Sequence, residues 1–324
     1  MIGKDINKAI ALLEAGELVA IPTETVYGLA GNALDTTAVT KIFVAKDRPY
    51  FDPLIVHVSS LQRAEQFVQS IPEKALILSN LFWPGPLTIL LNKKQIVPDL
   101  VTAGLDTVGI RCPRHPLTLE LLQKINFPLA APSANPFGYI SPTRPEHVSE
   151  QLGDRISYIL DGGPCPVGIE STIVGFEEDQ IIVYRLGGLS LESIEDAIGS
   201  ASVQGHSAAN PKAPGQLNSH YAPRKRLVLG TFPQLFKTYG QVQVGTLSFR
   251  TLFQGVEKRN QIVLSPSGNL EEAARNLFSG LRELDKMEVS VILAEEVPDI
   301  GIGKAINDRL HRAATYPADR ADFR

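Results

Sequence analysis

The chain is poor in the signatures that usually announce a chemistry. Its 324 residues include two cysteines, Cys112 and Cys165, each beside proline in an apolar setting. With no CxxC pair, neither a zinc site nor a disulfide framework is supported, and reduced structural thiols are expected. The six histidines form no HExxH or HxxxH pair, so no dedicated metal site is expected. No GxxxxGKS/T occurs, no GxGxxG follows a strand (Gly301-Ile302-Gly303 is too short a match), and there is no GxSxG elbow. A nucleotide, if bound, is therefore not held by a Walker loop. No apolar run approaches the ~18 residues of a membrane span. The segment Met1–Asp5 leads into a polar helix rather than a signal-peptide core, so a soluble, cytoplasmic chain without membrane contact is expected. Positive charge is not in excess either: 31 Lys and Arg stand against 35 Asp and Glu, for a net charge of −4. That argues against a globally basic nucleic-acid binder but leaves room for a local basic pocket.

What is present is an ordinary globular composition, 44% hydrophobic and 20% charged, in a length that suits one large or two ordinary domains. Apolar periodicity predicts helices over 4–15, 36–45, 61–69, 73–82, 116–125, 145–152 and 191–198. Asp35 and Ser190 are placed as N-caps, and Gly153 and Gly199 as glycines just past helix ends. Short apolar segments at 18–21, 54–58, 87–91, 108–111, 158–160, 171–174 and 181–186 read as strands. Residues 200–223, rich in Ser, Ala, Gly, Pro and Asn, carry no hydrophobic period and read as a linker or long loop. The pattern then restarts, with strands at 226–229, 242–247, 262–264 and 289–293 and helices at 270–286 and 302–314. The expected organisation is a mixed α/β domain at 1–200, a linker at 201–223, and a small parallel α/β domain at 224–324.

Chemistry must come from scattered polar groups. Pro22-Thr-Glu-Thr-Val-Tyr-Gly28 follows a strand directly, where polar residues either line a crevice or close a turn. In Lys46-Asp-Arg-Pro49 the proline pushes Arg48 out of the helical region, so the helix should end near Lys46. In an extended segment Lys46 and Arg48 would face one anion; the alternative is a helix end enriched in cations. Ser133 and Asn135, in Pro132-Ser-Ala-Asn-Pro136, stand two apart in a proline-stiffened stretch, as a hydrogen-bonding pair or as an Asx or Ser turn. Arg111 and Arg185 are cations inside apolar strands, hence each half of an ion pair or a substrate clamp. Ser171 and Thr172 open a strand, and His57 sits within the apolar 54–58.

In order, the segments PTETVYGL, KDRP with DPLIVHV, WPGPLTILL, VGIRCPRHP, APSANPFG, ILDGG, GIESTIV and YRLGG run through residues 18–190. This series resembles the Sua5/YrdC/YwlC family of threonylcarbamoyl-AMP synthases, whose hallmark Lys-x-Arg and Ser-x-Asn correspond to Lys46/Arg48 and Ser133/Asn135. The segment from Ala213 to Pro223 resembles the linker of the long, two-domain type, with Gln216 where methionine is usual. The resemblance implies an open, twisted α/β domain with a concave basic cavity, followed by a smaller Rossmann-like domain. It implies that threonine, bicarbonate and ATP are converted to threonylcarbamoyl-adenylate for tRNA modification, with Mg²⁺ carried by ATP. It places Thr25, His57, Arg111, Ala131 and Ser171 around threonine. Lys46, Arg48, Asp52, Thr107, Ser133, Asn135, Ser141 and Arg185 would hold ATP, with Tyr221 reaching over it from the linker as a lid. The implied partner is a tRNA threonylcarbamoyl transferase, with at most weak RNA contact. Two other readings stay open: an RNA-binding module built on the same cavity, and a different ATP-using carbamoyl transferase, such as one of hydrogenase maturation. The acidic balance argues against the first, and the lack of cysteine clusters against the second.

Overall fold

The computed structural model describes residues 1–177, 180–204, 211–216, 221–240 and 242–315. It divides into two compact units. The first holds Met1–Phe137, Ser141–Pro166 and Glu170–Leu217; the second holds Gly138–Ile140, Val167–Ile169 and Asn218–Arg324. Parts of the expected linker, 205–210 and 217–220, lie outside the described residues.

In the first unit the described strands are β1 (Ile2–Gly3), β2 (Val19–Ile21), β3 (Gly28–Asn32), β4 (Ile55–His57), β5 (Leu87–Asn92), β6 (Thr107–Arg111), β7 (Leu129–Ala130), β8 (Tyr158–Leu160), β9 (Thr172–Glu177), β10 (Gln180–Arg185) and β11 (Ala201–Val203). They join one mixed sheet in the order β1-β8-β2-β3-β7-β4-β6-β5-β9-β10-β11. The helices are α1 (Ile6–Glu14), α2 (Thr36–Lys46), α3 (Leu61–Ala64), α4 (Glu73–Phe82), α5 (Asp99–Thr102), α6 (Pro116–Lys124), α7 (Pro145–Leu152) and α8 (Leu191–Ile198). Local chemistry fixes several ends. The side chains of Asp5, Asp35 and Ser190 accept backbone N–H bonds from the first turns of α1, α2 and α8. Each such cap is worth about 1 kcal/mol against alanine.

Strand alternation separates two cores. One face of the sheet carries Leu29, Val56, Ile89, Ile110, Val174 and Val183, packed with Val39, Ile42, Leu78 and Ile194 from α2, α4 and α8. On the other face Val19, Ile21 and Leu129 pack with Leu13 of α1 and Leu121 and Leu122 of α6. Beyond Leu129 this second face turns polar, and the functional residues lie there.

Three local expectations are corrected. Gly153 closes α7 with ordinary right-handed angles (φ −55°) while its N–H bonds Ser149 O, so no left-handed glycine is used there. The helix expected over 61–69 stops at Ala64, because Val68 leaves it to bridge Lys93 beside β5. Gly28, read as a turn end, opens β3 instead and lies against Ala131.

The second unit contains β12 (Arg226–Leu229), β13 (Val244–Ser248), β14 (Gln261–Val263) and β15 (Val291–Ala294), parallel in the order β12-β15-β13-β14. Its helices are α9 (Phe232–Tyr239), α10 (Leu270–Lys286) and α11 (Gly303–Ala314). The stripe of α10 buries Ala274, Leu277, Leu281 and Leu284, and Asn269 caps it at Glu272 N. Gly280 lets α10 approach β14: a Cβ there would come within 2.8 Å of Ile262.

Candidate active site

One row of paired residues crosses the second face of the first sheet. His57 of β4 is flanked by Leu129 of β7 and Arg111 of β6; Arg111 pairs with Thr88 of β5, Thr88 with Ile173 of β9, and Ile173 with Arg185 of β10. Directly paired residues share a face. A register shift between Val183 and Arg185 is needed for this. The extra residue, Tyr184, packs on the same face with Ile173 and Ile182, so two consecutive side chains serve one side of the sheet.

The row is charged, buried and tied together. Arg111, 4% exposed, donates from Nε to Gly85 O at 3.3 Å, and its Nη2 lies 2.7 Å from Glu24 Oε1. That ion-pair contact is out of line for a hydrogen bond, so both atoms keep an unused hydrogen-bond direction. Arg185 donates from Nε to Ser171 O (3.0 Å), from Nη2 to Ser171 Oγ (3.0 Å) and from Nη1 to Pro214 O (3.3 Å). Ser171 Oγ also shares a 2.8 Å bond with Thr88 Oγ1. His57 is held neutral: burial, then the Arg111 charge, lowers its pKa to about 3. Thr25, fully buried, sits 2.8 Å from Thr23 Oγ1. Thr23 donates its own proton to Val26 O, which makes Thr25 the donor and leaves the Thr25 oxygen as an acceptor. The Ala131 N–H is spent on Ile55 O, so a ligand contact at this residue has to use its carbonyl.

A second cluster joins the two hallmark motifs. Lys46 Nζ donates to Ser133 O (2.6 Å) and Asn135 O (2.5 Å). Arg48 donates to Asp52 O (3.1 Å) and Pro53 O (2.7 Å), and its Nη2 stands 2.9 Å from Asp52 Oδ2. Burial, then the Arg48 charge, pushes the Lys46 pKa well down, with Asp52 opposing. Burial raises the Asp52 pKa against the pull of Arg48, Lys46 and Arg185. The extended-segment geometry expected for both motifs is not what the chain adopts. Asp47 caps α2 in the left-handed region (φ 52°), and Asn135 N bonds Ser133 O in a tight turn. The motifs meet because Lys46 reaches backbone oxygens, 87 and 89 residues away in sequence, that only this turn exposes.

The remaining expected residues are more spread. Ser141, fully buried, donates to Glu170 Oε1 at 2.5 Å. Thr107 opens β6 on the same face as Arg111, roughly 13 Å from it at about 3.3 Å per residue. Between them Gly109 pairs with Ile55 and Leu90, an apolar floor on which Ala213 packs. Thr107 lines a cavity of about 250 Å³ with Leu90, Gly175, Glu177, Tyr184 and Lys212. Tyr221 belongs to the second unit: its ring stacks on Phe278 (5.7 Å) under the Arg309 guanidinium (4.8 Å). Among the described residues no cluster of three or more His, Cys, Asp or Glu can hold a metal. Both cysteines are free and buried, and burial raises the Cys112 thiol to about 12.

Sequence reasoning passed over Glu24, Thr88 and Glu170, and noted Gln216 only as a substitution in the linker. The signal for Glu24 was a carboxylate between two threonines, and for Thr88 a hydroxyl inside an apolar strand. Gln216, 1% exposed, accepts the N–H groups of Lys212 (2.7 Å) and Ala213 (3.1 Å), pinning the segment whose Pro214 carbonyl meets Arg185.

Fold and site define a class: an α/β protein that gathers buried cations and hydroxyls on one sheet face, without a glycine-rich phosphate loop. The Sua5/YciO/YrdC family model, described as telomere recombination, matches residues 11–187. The model described as threonylcarbamoyl-AMP synthase, C-terminal domain, matches residues 189–315. The threonylcarbamoyl-AMP synthase of Pyrococcus abyssi is 41% identical over 96% of this chain and 94% of its own length, and that of Bacillus subtilis 43% identical over 95% and 92%. The crystal structure of P. abyssi Sua5 complexed with L-threonine superposes with a TM-score of 0.90 at 39% identity, covering 97% of each chain. The chain belongs to the Sua5/YrdC family of threonylcarbamoyl-AMP synthases, in its long form with the additional C-terminal domain.

Proposed function

We propose that the chain condenses L-threonine, bicarbonate or CO₂, and MgATP to L-threonylcarbamoyl-adenylate and pyrophosphate, the first step of N6-threonylcarbamoyladenosine formation in tRNA. The observation that carries this reading is the single row His57–Arg111–Thr88–Arg185 beside the Lys46–Arg48–Asp52 cluster. Threonine takes the Arg111 end, with Thr25, His57, Ser171 and the Ala131 carbonyl around it. Its α-carboxylate pairs with Arg111, and neutral His57 serves as a hydrogen-bonding wall rather than an acid.

ATP lies along the same face. Its phosphates meet Lys46, Arg48 and Arg185, with Asp52, Ser133, Asn135 and Ser141 orienting them. Its nucleoside takes the Thr107 end, past the segment whose Ala213 packs on the Ile55–Gly109–Leu90 floor. The neutral threonine amine forms a bond to the carbon of CO₂, its nitrogen giving up one proton to solvent, or to that of bicarbonate with loss of water; either way the carbamate anion is left. A carbamate oxygen then attacks the α-phosphorus, and the bond to the bridging oxygen breaks to release pyrophosphate. Such a transfer depends on positioning and on neutralising oxygen charge. The carbonyls that now hold Lys46, Arg48 and Arg185 are exchanged in part for phosphate oxygens, so the cations are kept in place before the substrate arrives. Mg²⁺ enters as part of the nucleotide substrate and needs few protein ligands.

The catalytic domain is drawn at 1–200 and the C-terminal domain at 224–324, joined by 201–223, whose first three residues extend the first sheet as β11. The product passes to a tRNA threonylcarbamoyl transferase in the cytoplasm. Among the described residues no helix is long and apolar enough to cross a membrane.

The test is incubation of the purified chain with MgATP, labelled bicarbonate and each amino acid in turn. Threonine-dependent pyrophosphate together with a labelled threonylcarbamoyl-adenylate is expected. ATP binding without amino-acid-dependent pyrophosphate would overturn the reading in favour of an RNA-binding role, and release driven by a different acceptor would reassign the substrate.

A further inference from the structure

Glu24 is a buried carboxylate that no role above uses. It is 1% exposed and lies in the loop after β2. Its Oε2 is fixed by the backbone N–H of Arg114 at 2.9 Å, so the carboxylate is anchored to the chain just past β6. Its Oε1 stands 2.7 Å from Arg111 Nη2, while Arg111 Nε is taken by Gly85 O. Nε and Nη2 share the lateral edge of a guanidinium. The protein therefore engages Nε and Nη2 and leaves Nη1 without a hydrogen-bond or ion-pair partner among the described residues. A flexible guanidinium on a strand has several orientations, and contacts at two of its three nitrogens restrict them. What remains on offer is the end-on face, the geometry a carboxylate takes with two parallel bonds. The ion pair is also bent out of hydrogen-bonding line, so Nη2 retains a direction for a second ligand oxygen.

We propose that Glu24 is a positioning residue for amino-acid recognition: it holds Arg111 through Nη2 and so aims the Nη1 end at the substrate α-carboxylate. This rests on the reading that threonine binds at Arg111. Glu24 acts through Arg111 and not on the nucleotide, whose cations lie in the other cluster. Its negative charge also offsets that of Arg111, so the site accepts a zwitterion of zero net charge rather than any anion.

The experiment uses the full chain and steady-state pyrophosphate release. Glu24→Gln keeps an oxygen for the Arg114 N–H and removes the charge that clamps Arg111. The Michaelis constant for threonine is expected to rise by about tenfold or more, the kcat at saturating threonine to change less than about threefold, and the constant for ATP to stay within about twofold. In the Arg111→Ala background, Glu24→Gln should add nothing further, which a double-mutant cycle reads directly. An unchanged constant for threonine, an equal rise for ATP, or a further loss in the Arg111→Ala background would each overturn the proposal. If Glu24→Gln does not fold, Glu24→Asp carries the test: it retains the charge at a shorter reach, and a threonine-specific rise of a few fold is expected, with no rise overturning the idea. Threonine-dependent turnover by the unaltered chain separates the two claims, since its absence sinks the proposed function and leaves Glu24 unjudged only until the true amino-acid substrate is run through the same cycle, which then decides it.

Discussion

Both units bury arginines, and they do so in different ways. In the first unit Arg48, Arg111 and Arg185 meet oxygen: the carbonyls of Asp52, Pro53, Gly85, Ser171 and Pro214 and the carboxylates of Asp52 and Glu24. In the second unit Arg282 lies over the Tyr139 ring at 5.1 Å as well as donating to Ile140 O, and Arg309 lies over Tyr221 at 4.8 Å, while Asp308 holds both Arg309 (2.5 Å) and Arg312 (3.1 Å); of the three in the first unit, Arg48 also has a ring nearby, Phe137 at 6.0 Å. Oxygen partners can be exchanged for the oxygens of a substrate with little change in environment. An aromatic face cannot, and a guanidinium committed to one is a packing element. Under the proposed function, the oxygen-held cations serve turnover and the ring-stacked ones serve the fold.

The largest expected effect tests the first half of that statement. Arg48→Met should lower kcat/KM by about 10²–10³, equivalent to roughly 3–4 kcal/mol at a charge-stabilising contact. Its unfolding midpoint should move little, because Asp52, already raised by burial, takes up a proton when its partner is lost. Lys46→Ala should cut turnover comparably. A variant of either residue with near-normal turnover would remove that charge from the mechanism. Next, Arg309→Met should cost roughly 3 kcal/mol of stability, through the lost ring contact and a weakened buried ion pair. Urea unfolding of the whole chain checks this, and an undiminished midpoint would show that the aromatic setting contributes nothing.

A smaller effect follows from His57. Its folded pKa, about 3, lies below the ordinary value of 6.5, so between those pH values the unfolded chain binds the extra proton. Stability is fully present above about pH 6.5 and declines as pH falls toward 3, by at most ~1.4 kcal/mol per pH unit for one proton. His57→Gln should flatten that part of the stability curve, and threonine affinity should show no histidine transition near pH 6.5. The least effect belongs to an exposed pair. Lys124–Glu120, at 2.7 Å on α6 with both side chains about half exposed, should contribute less than ~0.5 kcal/mol when tested by Lys124→Ala.

Capped helices and buried strands were legible in the sequence because their causes are local. Asp35, Ser190 and the stripe of α10 need no distant partner to be recognised. The site was legible as a set of residues through the ordered motifs, but its construction was not. His57, Thr88 and Arg111 come from the consecutive strands β4, β5 and β6, but the sheet orders these β4-β6-β5 and brings in Arg185 of β10 beyond β9, so the shared row exists only once the sheet order is known. Glu24 meets Arg111 across 87 positions, beyond any periodic signal. The extended geometry inferred for Lys46-x-Arg48 failed because an aspartate, Asp47, takes the left-handed cap where proline two residues on suggested only an extended exit.

The bulge in β10 makes strand length part of the site's specification. Alternation lets a strand show one side chain in two to a given face, and substitutions can vary each independently. At Tyr184 and Arg185 two neighbours serve the same face because the ladder carries one residue too many. The site therefore depends on the length of this strand as well as on its letters. A change of amino acid at 184 is a graded event, whereas losing one codon there restores the simple alternation and turns either the ring or the guanidinium toward the opposite core.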